Sequence, residues 1–175
     1  SIQTAYHILK RALGSDYQKI LAAEKTIPGR LKKIVDTIED ISGLEHFGAY
    51  LTLLFEVDAL IANEDRHLNN IAILEENGKY HYCPLFDNGE GLMLDNVKYP
   101  FDVETRGLMK HLRAKPFQCR FGTILSAARD LYGAQLKIAC SAAEISEIVE
   151  KYLDWYQPMF RPFLKDRIVD VVLLQ

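Results

Sequence analysis

Cysteine is scarce in this sequence, and the three cysteines, Cys83, Cys119 and Cys140, are widely separated along the chain. Their number is odd, and no two of them form the Cys-x-x-Cys pair that is typical of zinc and redox sites. The sequence therefore predicts neither a disulfide framework nor a zinc site. We expect the three thiols to be reduced and partly buried.

Long apolar runs and an excess of basic residues are absent as well. No uninterrupted apolar run approaches the roughly eighteen residues of a membrane-spanning helix, and the first residues do not resemble a secretion signal. The formal net charge is -3 and the pI is near 6.0, so a broad surface of clustered Lys and Arg for nucleic acid is not expected. These absences predict a cytoplasmic enzyme or partner-binding domain, with no membrane partner and no direct nucleic-acid binding.

The hydrophobic content of the sequence fits one domain over residues 1–175. Of the 175 residues, 49% are hydrophobic, which is enough for a core, and most of them recur at helical spacing. The predicted helices cover residues 2–13, 16–25, 31–41, 44–62, 108–112, 121–132, 141–156 and 160–172. Two short strands, at residues 70–74 and 79–84, interrupt them. We predict a mainly helical fold with one small β-hairpin.

The helix predicted over residues 44–62 is apolar on most sides, so other parts of the protein must cover it. Glu45, Thr52 and Glu56 form its one polar strip. Asp58 lies well off that strip, given a rotation of about 100° per residue, and so points into the protein. We expect Asp58 to accept hydrogen bonds from backbone amides of the following loop, because a buried carboxylate needs partners.

Near the C-terminal end, Ser141-Ala142-Ala143-Glu144 has the pattern of a capping box at the start of a helix. Apolar residues follow at helical spacing as far as Tyr156. This pattern predicts that Trp155 and the neighbouring tyrosines belong to the core and do not form a ligand platform.

The most polar stretch near the middle of the chain is residues 63–70, Asn-Glu-Asp-Arg-His-Leu-Asn-Asn, which lies between two apolar segments. Polar side chains in such a place need partners, so the stretch is either a well-satisfied structural loop or a functional site. A hairpin that turns at Asn77-Gly78 would bring Asp87 back beside Asn70. Asp65, Asn70 and Asp87 are therefore predicted to converge on one point.

Two carboxylates and one carboxamide at a common point suit phosphoryl transfer from a nucleotide. Mg2+ takes a few oxygen ligands and shares its remaining positions with water and phosphate, so Asn70 and Asp87 are the predicted metal ligands. Asp65, held off the metal, would orient or deprotonate the attacking hydroxyl. The alternatives are local ones: Asp65 closes an Asx turn or caps a helix, and Asp87-Asn88-Gly89 is an ordinary turn.

The motif Asn63-x-Asp65-x-His67-x-x-Asn70, followed by a hairpin and Asp87, resembles the catalytic and metal-binding segments of HipA-like kinases. These are bacterial serine/threonine protein kinases on the eukaryotic-like kinase fold, and many are toxins of toxin-antitoxin pairs. Residues 58–63, Asp-Ala-Leu-Ile-Ala-Asn, and 114–117, Ala-Lys-Pro-Phe, extend the likeness. It implies a serine/threonine kinase that uses ATP and Mg2+, with this chain as its protein-kinase-like C-lobe.

The resemblance implies that Asp65 is the catalytic residue. It assigns contacts with the nucleotide or its metal to five more residues: His67, Asn69, Asn70, Phe86 and Asp87. His67 would either lie near the phosphates or brace the loop, and Arg66 would form an ion pair or contact substrate. Lys115 receives no role. Asp65 with His67 would also suit a metallohydrolase, but the other histidines lack a ligand spacing such as His-x-x-x-His.

The resemblance covers the whole chain but only one lobe of a kinase. A complete kinase also has a strand-rich N-lobe with a phosphate-covering loop and a phosphate-binding lysine, whereas this sequence has no such loop and is predicted to begin in a helix. We interpret the chain as part of a longer kinase that is poorly active alone, with a separately encoded N-lobe as a second explanation. A catalytically inactive kinase-like module that binds a protein partner is the alternative function.

The partners implied by the resemblance are a protein substrate, the missing N-lobe and an antitoxin. The Asp-Arg-His-x-x-Asn core also resembles the catalytic loop of phosphatidylinositol kinases. A lipid kinase would be supported by a basic membrane-facing patch, which the acidic charge balance does not favour. Substrate identity cannot be predicted, because specificity depends on surface grooves that the sequence does not reveal.

Overall fold

The computed structural model describes residues 1–174 and is mainly helical, with 54% helix and 8% strand, which confirms the predicted fold class at that level. The strands are β1 (Ile2–Thr4), β2 (Ala72–Glu76) and β3 (Lys79–Tyr82). The helices are α1 (Ala5–Leu13), α2 (Tyr17–Ala23), α3 (Ile27–Ser42), α4 (Phe47–Leu60), α5 (Thr105–Met109), α6 (Phe121–Tyr132), α7 (Ala142–Glu150) and α8 (Arg161–Leu173). Single 3-10 turns lie at Gly91–Met93, Leu153–Trp155 and Pro158–Phe160.

The three strands form an antiparallel sheet in the order β1-β2-β3. The predicted hairpin of β2 and β3 is confirmed, and its turn residues Asn77 and Gly78 have φ values of 52° and 75°, as a tight two-residue hairpin turn requires. The prediction that the chain begins in a helix is wrong, because Ile2 pairs with Leu74 at the other edge of β2. A strand this short was missed because its partner is remote in sequence.

Helix α4 packs against both α3 and α6 and buries Phe47 and Phe55 among them. Two residues of its predicted polar strip, Thr52 and Glu56, are also buried, whereas Glu45 precedes the helix and is exposed. The Glu56 carboxylate accepts hydrogen bonds from Arg129 Nε of α6 at 2.6 Å and from the backbone amides of residues 135 and 136 at 3.0 and 2.6 Å. These bonds allow a carboxylate to lie inside a helix interface.

The irregular run between β3 and α5 is anchored by one residue of α8. Arg167 is buried, and its guanidinium donates hydrogen bonds to the carbonyls of Tyr99, Pro100 and Val103 at 3.3, 2.9 and 3.1 Å. Tyr99 and Met93 pack in a second, smaller core beside α8. A segment without clear periodicity in the sequence is therefore tied to the last helix.

The C-terminal part departs from the sequence prediction in its aromatic residues. Helix α7 has the expected capping box, in which Ser141 Oγ accepts from the Glu144 amide at 3.3 Å and the Glu144 carboxylate accepts from the Ser141 amide at 2.8 Å. It ends at Glu150, however, well before residue 156. Tyr152 and Trp155 are 60% and 86% exposed, so their assignment to the core is wrong. The chain turns after α7, which takes these rings off the buried helix face.

The cysteines are free, as predicted, with Cys83 buried and the other two half-buried. Between residues 1 and 174, none of the helices has both the length and the apolar character that crossing a membrane requires.

Candidate active site

The predicted loop follows α4 as a set of turns around Arg66. This residue is 1% exposed, and its guanidinium makes two hydrogen bonds of 2.9 Å to the Asp58 carboxylate, from Nε to Oδ2 and from Nη2 to Oδ1. A buried guanidinium needs partners, and a carboxylate that accepts two parallel bonds matches its geometry best. Of the two roles considered for Arg66, the structure has the ion pair.

Asp58 is buried, as predicted, but its partners are side chains. Besides Arg66, its carboxylate accepts a hydrogen bond of 2.7 Å from Asn63 Nδ2. The prediction that loop backbone amides donate to this carboxylate is wrong, because the Asn63 amide donates to the Asp58 backbone carbonyl, at 2.8 Å. Burial raises the pKa of the Asp58 carboxyl, while the donors from Arg66 and Asn63 oppose that rise by favouring the carboxylate. Asp58 thus joins α4 to the loop through side chains.

Arg66 also joins the loop to the end of the hairpin. Its Nη1 donates to the carbonyl oxygens of Asn70 and Phe86 at 2.9 and 2.7 Å, and its Nη2 donates to Asn88 Oδ1 at 2.6 Å. One nitrogen bonded to both carbonyls keeps these two oxygens within about two hydrogen-bond lengths, roughly 6 Å. The end of the hairpin therefore returns to Asn70, as the sequence predicted.

Two asparagines close the loop on itself. Asn63 Oδ1 accepts a hydrogen bond from the Asp65 amide at 3.2 Å, and Asn70 Nδ2 donates to the Asp65 backbone carbonyl at 3.0 Å. Bonds of this kind, from a side chain to nearby backbone, were the alternative role for the Asp65 side chain. Because the asparagines make them, the Asp65 carboxylate is not used for capping.

The Asp65 side chain is 31% exposed and faces a basic group. Its Oδ1 accepts a hydrogen bond from Lys115 Nζ at 2.6 Å, and His67 Nε2 lies 3.8 Å from its Oδ2. The bond from Lys115 holds the pKa of Asp65 below its ordinary value, although partial burial acts in the opposite direction, so the carboxylate is charged at neutral pH. It opens onto a cleft of about 430 Å³ that is also lined by Glu64, Glu90, Lys98, Arg113, Lys115 and Gln118.

Asn70 and Asp87, the predicted metal ligands, both have side-chain oxygens that accept no hydrogen bond from the described residues, but Asn70 is buried at 4% exposure. No group within residues 1–174 donates a hydrogen bond to Asn70 Oδ1 or to the Asp87 carboxylate, and Asp87 is exposed. One carboxylate and one carboxamide suit Mg2+ that keeps several waters and binds phosphate oxygens. The described part of the chain contains no cluster of three or more His, Cys, Asp or Glu that could hold a metal. The role of Asn70 and Asp87 as ligands of Mg2+ stays a prediction.

Of the three other predicted nucleotide contacts, Asn69 and Phe86 directly precede these residues in sequence, and His67 lies on the same loop. Asn69 is exposed, whereas His67 and Phe86 are half-buried. The Phe86 carbonyl belongs to the Arg66 network, and His67 Nδ1 is buried without a hydrogen-bond partner within residues 1–174. The roles of these three side chains as nucleotide contacts stay predictions.

Sequence reasoning gave no role to two residues that the structure places at the site. Glu64 accepts a hydrogen bond from the Arg113 amide at 2.6 Å, pairs with Lys98 Nζ at 2.9 Å and is bonded by the Tyr99 hydroxyl. Burial raises the pKa of Glu64, but these donors outweigh burial and hold the pKa below its ordinary value. Lys115 is the second such residue. Both pairings join segments far apart in sequence, where no local pattern could indicate them.

Comparison with known proteins was made for the whole chain. Protein-family models, curated proteins and solved structures all gave no significant match. The functional interpretation therefore depends on the Arg66 network, which joins the loop that carries Asp65 and Asn70 to the end of the hairpin before Asp87.

Proposed function

We propose that this chain is the C-terminal, catalytic-loop lobe of a HipA-like serine/threonine protein kinase that uses ATP and Mg2+. The observation that carries this proposal is the pair of hydrogen bonds from Arg66 to the Asn70 and Phe86 carbonyls. These bonds hold the segment with Asp65 against the segment with Asp87. Transfer of a phosphoryl group from ATP beside Asp87 to a hydroxyl group beside Asp65 requires that these segments lie close together. The kinase-like C-lobe fold and a cytoplasmic location belong to the same proposal.

In the proposed reaction, Asp65 receives the hydroxyl group of a protein serine or threonine. Its carboxylate orients the hydroxyl and takes its proton while the oxygen bonds to the terminal phosphorus of ATP and the bond to the ADP oxygen breaks. Asn70 and Asp87 would hold Mg2+, which neutralises phosphate charge when bound. Side chains beside the nucleotide would be His67, Asn69 and Phe86.

The cleft beside Asp65 supports a protein substrate. At about 430 Å³ it has room for a side chain and its neighbouring backbone, and its lining carries both charge signs. Glu64 connects the catalytic loop to the far wall of this cleft through Lys98, Tyr99 and the Arg113 amide. The substrate hydroxyl would thus bind in a cleft whose far wall is hydrogen-bonded to the loop that carries Asp65.

Phosphoryl transfer depends on positioning and charge neutralisation by both lobes of a kinase. We therefore expect residues 1–175 alone to be poorly active or inactive, and active when an N-lobe is present. The N-lobe would belong to the same longer chain or to a separate polypeptide. An antitoxin is a further proposed partner, on the resemblance alone.

Phosphate transfer from ATP by the longest natural form of the protein tests this proposal. The wild type should phosphorylate itself or a generic serine/threonine substrate only with Mg2+. Asp65→Asn and Asp87→Ala should each lower the rate about 100-fold or more. Glu76→Gln, which removes an exposed charge at the hairpin turn, is the matched control and should keep the wild-type rate. Full transfer by an Asp65→Asn protein that binds Mg-ATP would contradict the role given to Asp65.

A catalytically inactive kinase-like module that binds a protein partner is the second candidate. Exposed apolar residues favour it, since Trp155 and Met159 are 86% and 68% exposed and the neighbouring residues line an apolar cavity of about 500 Å³. This candidate predicts that calorimetry finds no Mg2+-dependent nucleotide binding, even when an N-lobe is supplied.

A further inference from the structure

Lys115 reaches Asp65 from a loop that is closed by its own backbone bonds. The amide of Ala114 donates to the Cys119 carbonyl at 2.7 Å, and the amide of Cys119 donates to the Ala114 carbonyl at 3.3 Å. Lys115 Nζ lies 2.6 Å from Asp65 Oδ1, and its side chain is 37% exposed on the cleft. The loop thus holds an ammonium group against the carboxylate that the proposed reaction uses.

The ammonium group of Lys115 has donors left over. It carries three N–H donors, and its bond to Asp65 is its one hydrogen bond within residues 1–174. The other two donors lie beside the cleft in which a terminal phosphate would meet a hydroxyl bound at Asp65. They are free to bind phosphate oxygens without breaking the bond to Asp65.

The other cationic side chains near this cleft have their partners away from Asp65, although within residues 1–174 Lys98 and Arg113 also keep unused donors. They are Arg66 in the buried pair with Asp58, Lys98 with Glu64, and Arg113, whose Nη1 bonds backbone carbonyls of its own segment. His67 lies 3.8 Å from the Asp65 carboxylate and is positive only when protonated. In the transferring phosphoryl group, negative charge is spread over three oxygens, and a fixed cation stabilises it. Of these cations, Lys115 is the one hydrogen-bonded to Asp65, so it lies where the phosphoryl group would meet a hydroxyl bound there.

We propose that Lys115 binds the phosphoryl group during transfer while it positions Asp65. This inference rests on the proposed kinase function and adds a catalytic residue to it. When Asp65 takes the proton of the hydroxyl group, it loses its negative charge and its ion pair with Lys115. The ammonium group of Lys115 then interacts electrostatically with the phosphoryl oxygens. The ammonium group neither gains nor loses a proton in this step.

A Lys115 that served only as the ion-pair partner of Asp65 would have a different kinetic signature. Its removal would let the pKa of Asp65 rise towards the ordinary value and would move the acid limb of the pH-rate profile to higher pH. The plateau rate, at which Asp65 is fully ionised, would not change. Contact with the phosphoryl group predicts instead that the plateau itself falls.

Steady-state kinetics of the longest natural form, with ATP, Mg2+ and a serine/threonine substrate, measure this plateau. Lys115→Ala should lower the plateau kcat about 100-fold or more and change the KM for ATP less than about threefold. Lys115→Arg keeps the charge and should recover about tenfold of the lost rate. Lys110→Ala, an exposed lysine in the same stretch, is the matched control and should keep the wild-type kcat.

A binding measurement separates contact in the transition state from an effect on folding. MgADP with aluminium fluoride imitates the transferring phosphoryl group, and Lys115→Ala should weaken its binding about 100-fold while MgATP affinity changes little. Lys115→Gln keeps most of the side-chain length and replaces Lys115→Ala if that variant does not fold. The same losses are expected for it.

The outcomes distinguish this inference from the kinase proposal beneath it. A folded Lys115 variant with an unchanged plateau rate, beside an active wild type and an inactive Asp65→Asn protein, overturns the role of Lys115 and leaves the kinase proposal standing. A wild type that transfers no phosphate even with its N-lobe overturns both.

Discussion

Two regions of the chain differ in which side chains they bury. Around α4 and the loop after it, the buried charged groups have partners: Asp58 and Arg66 pair with each other, and Glu56 pairs with Arg129, which is itself exposed. In the α7 segment, residues 142–160, large apolar side chains such as Trp155 are exposed instead. Buried polar bonds are thus concentrated in the region of the candidate site, where a fixed geometry is needed. The α7 segment has a nonpolar surface instead.

Breaking the Arg66 pair should have the largest effect on stability. Arg66→Met leaves the Asp58 carboxylate buried without its cation, which costs about 3–5 kcal/mol in the free energy of unfolding. Urea denaturation monitored by circular dichroism measures this loss. The control, Lys32→Met, removes an exposed pair with Asp36 and should leave stability nearly unchanged. A loss below about 1 kcal/mol for Arg66→Met would contradict the importance given to burial of this pair.

Close helix packing in the α4 region gives the next effect. A Cβ added to Gly48 would lie 2.3 Å from the Tyr132 ring of α6, so Gly48→Ala should destabilise the protein by about 1–3 kcal/mol in thermal or urea unfolding. In α5, a Cβ at Gly107 would meet nothing within 4 Å. Gly107→Ala is therefore the matched control and should be neutral or stabilising by roughly 0.5–1 kcal/mol. Equal losses of stability in the two variants would mean that contact with Tyr132 is not the cause of the loss in Gly48→Ala.

The pH dependence of the free energy of unfolding tests the contribution of Glu64, a charged residue of the loop after α4. Because its pKa in the folded chain is below the ordinary value of 4.5, ionised Glu64 contributes stability above that value, and the contribution is lost as pH falls through the folded pKa. The wild type should exceed Glu64→Gln by about 1 kcal/mol in the free energy of unfolding at neutral pH, and this difference should shrink as the pH falls below 4.5 and through the folded pKa. A difference between the two proteins that grows as the pH falls would have the wrong sign for this interpretation.

The smallest effect is expected in the α7 segment. Trp155→Ser removes an aromatic ring that is 86% exposed, so the free energy of unfolding should change by less than about 0.5 kcal/mol. Phe47→Ser removes a fully buried ring from α4 and should cost more than about 3 kcal/mol, or prevent folding. Urea unfolding of both variants gives the contrast directly. A loss above about 1 kcal/mol for Trp155→Ser would mean that the ring packs against the protein in solution.

Local patterns in the sequence were enough to predict much of the fold. The helical period gave α6 with its bounds, and the Asn77-Gly78 turn gave the hairpin. What failed was not local: β1 exists because of its pairing with β2, and the apolar period that continues past Glu150 does not keep the chain helical. Tertiary pairing overrides the helical periodicity at β1.

The candidate site was predictable to the same extent. The spacing of Asp65 and Asn70 and the return of the chain to Asp87 follow from one loop and one hairpin. The position of Lys115 could not be predicted, because its loop meets Asp65 only in the folded chain. Arg66 stood in the motif, yet its bonds to two backbone carbonyls correspond to no pattern of side chains.

The Arg66 side chain also limits how this lobe can be altered. The end of α4, the loop and the exit of the hairpin all accept hydrogen bonds from a single guanidinium. Replacing the loop with one from another protein would remove the guanidinium and leave the acceptors of the other two segments without a donor, and replacing either of those would leave Arg66 with unpaired donors. Grafting is therefore expected to succeed when residues 58–88 are exchanged as one block, and to fail when they are exchanged piece by piece.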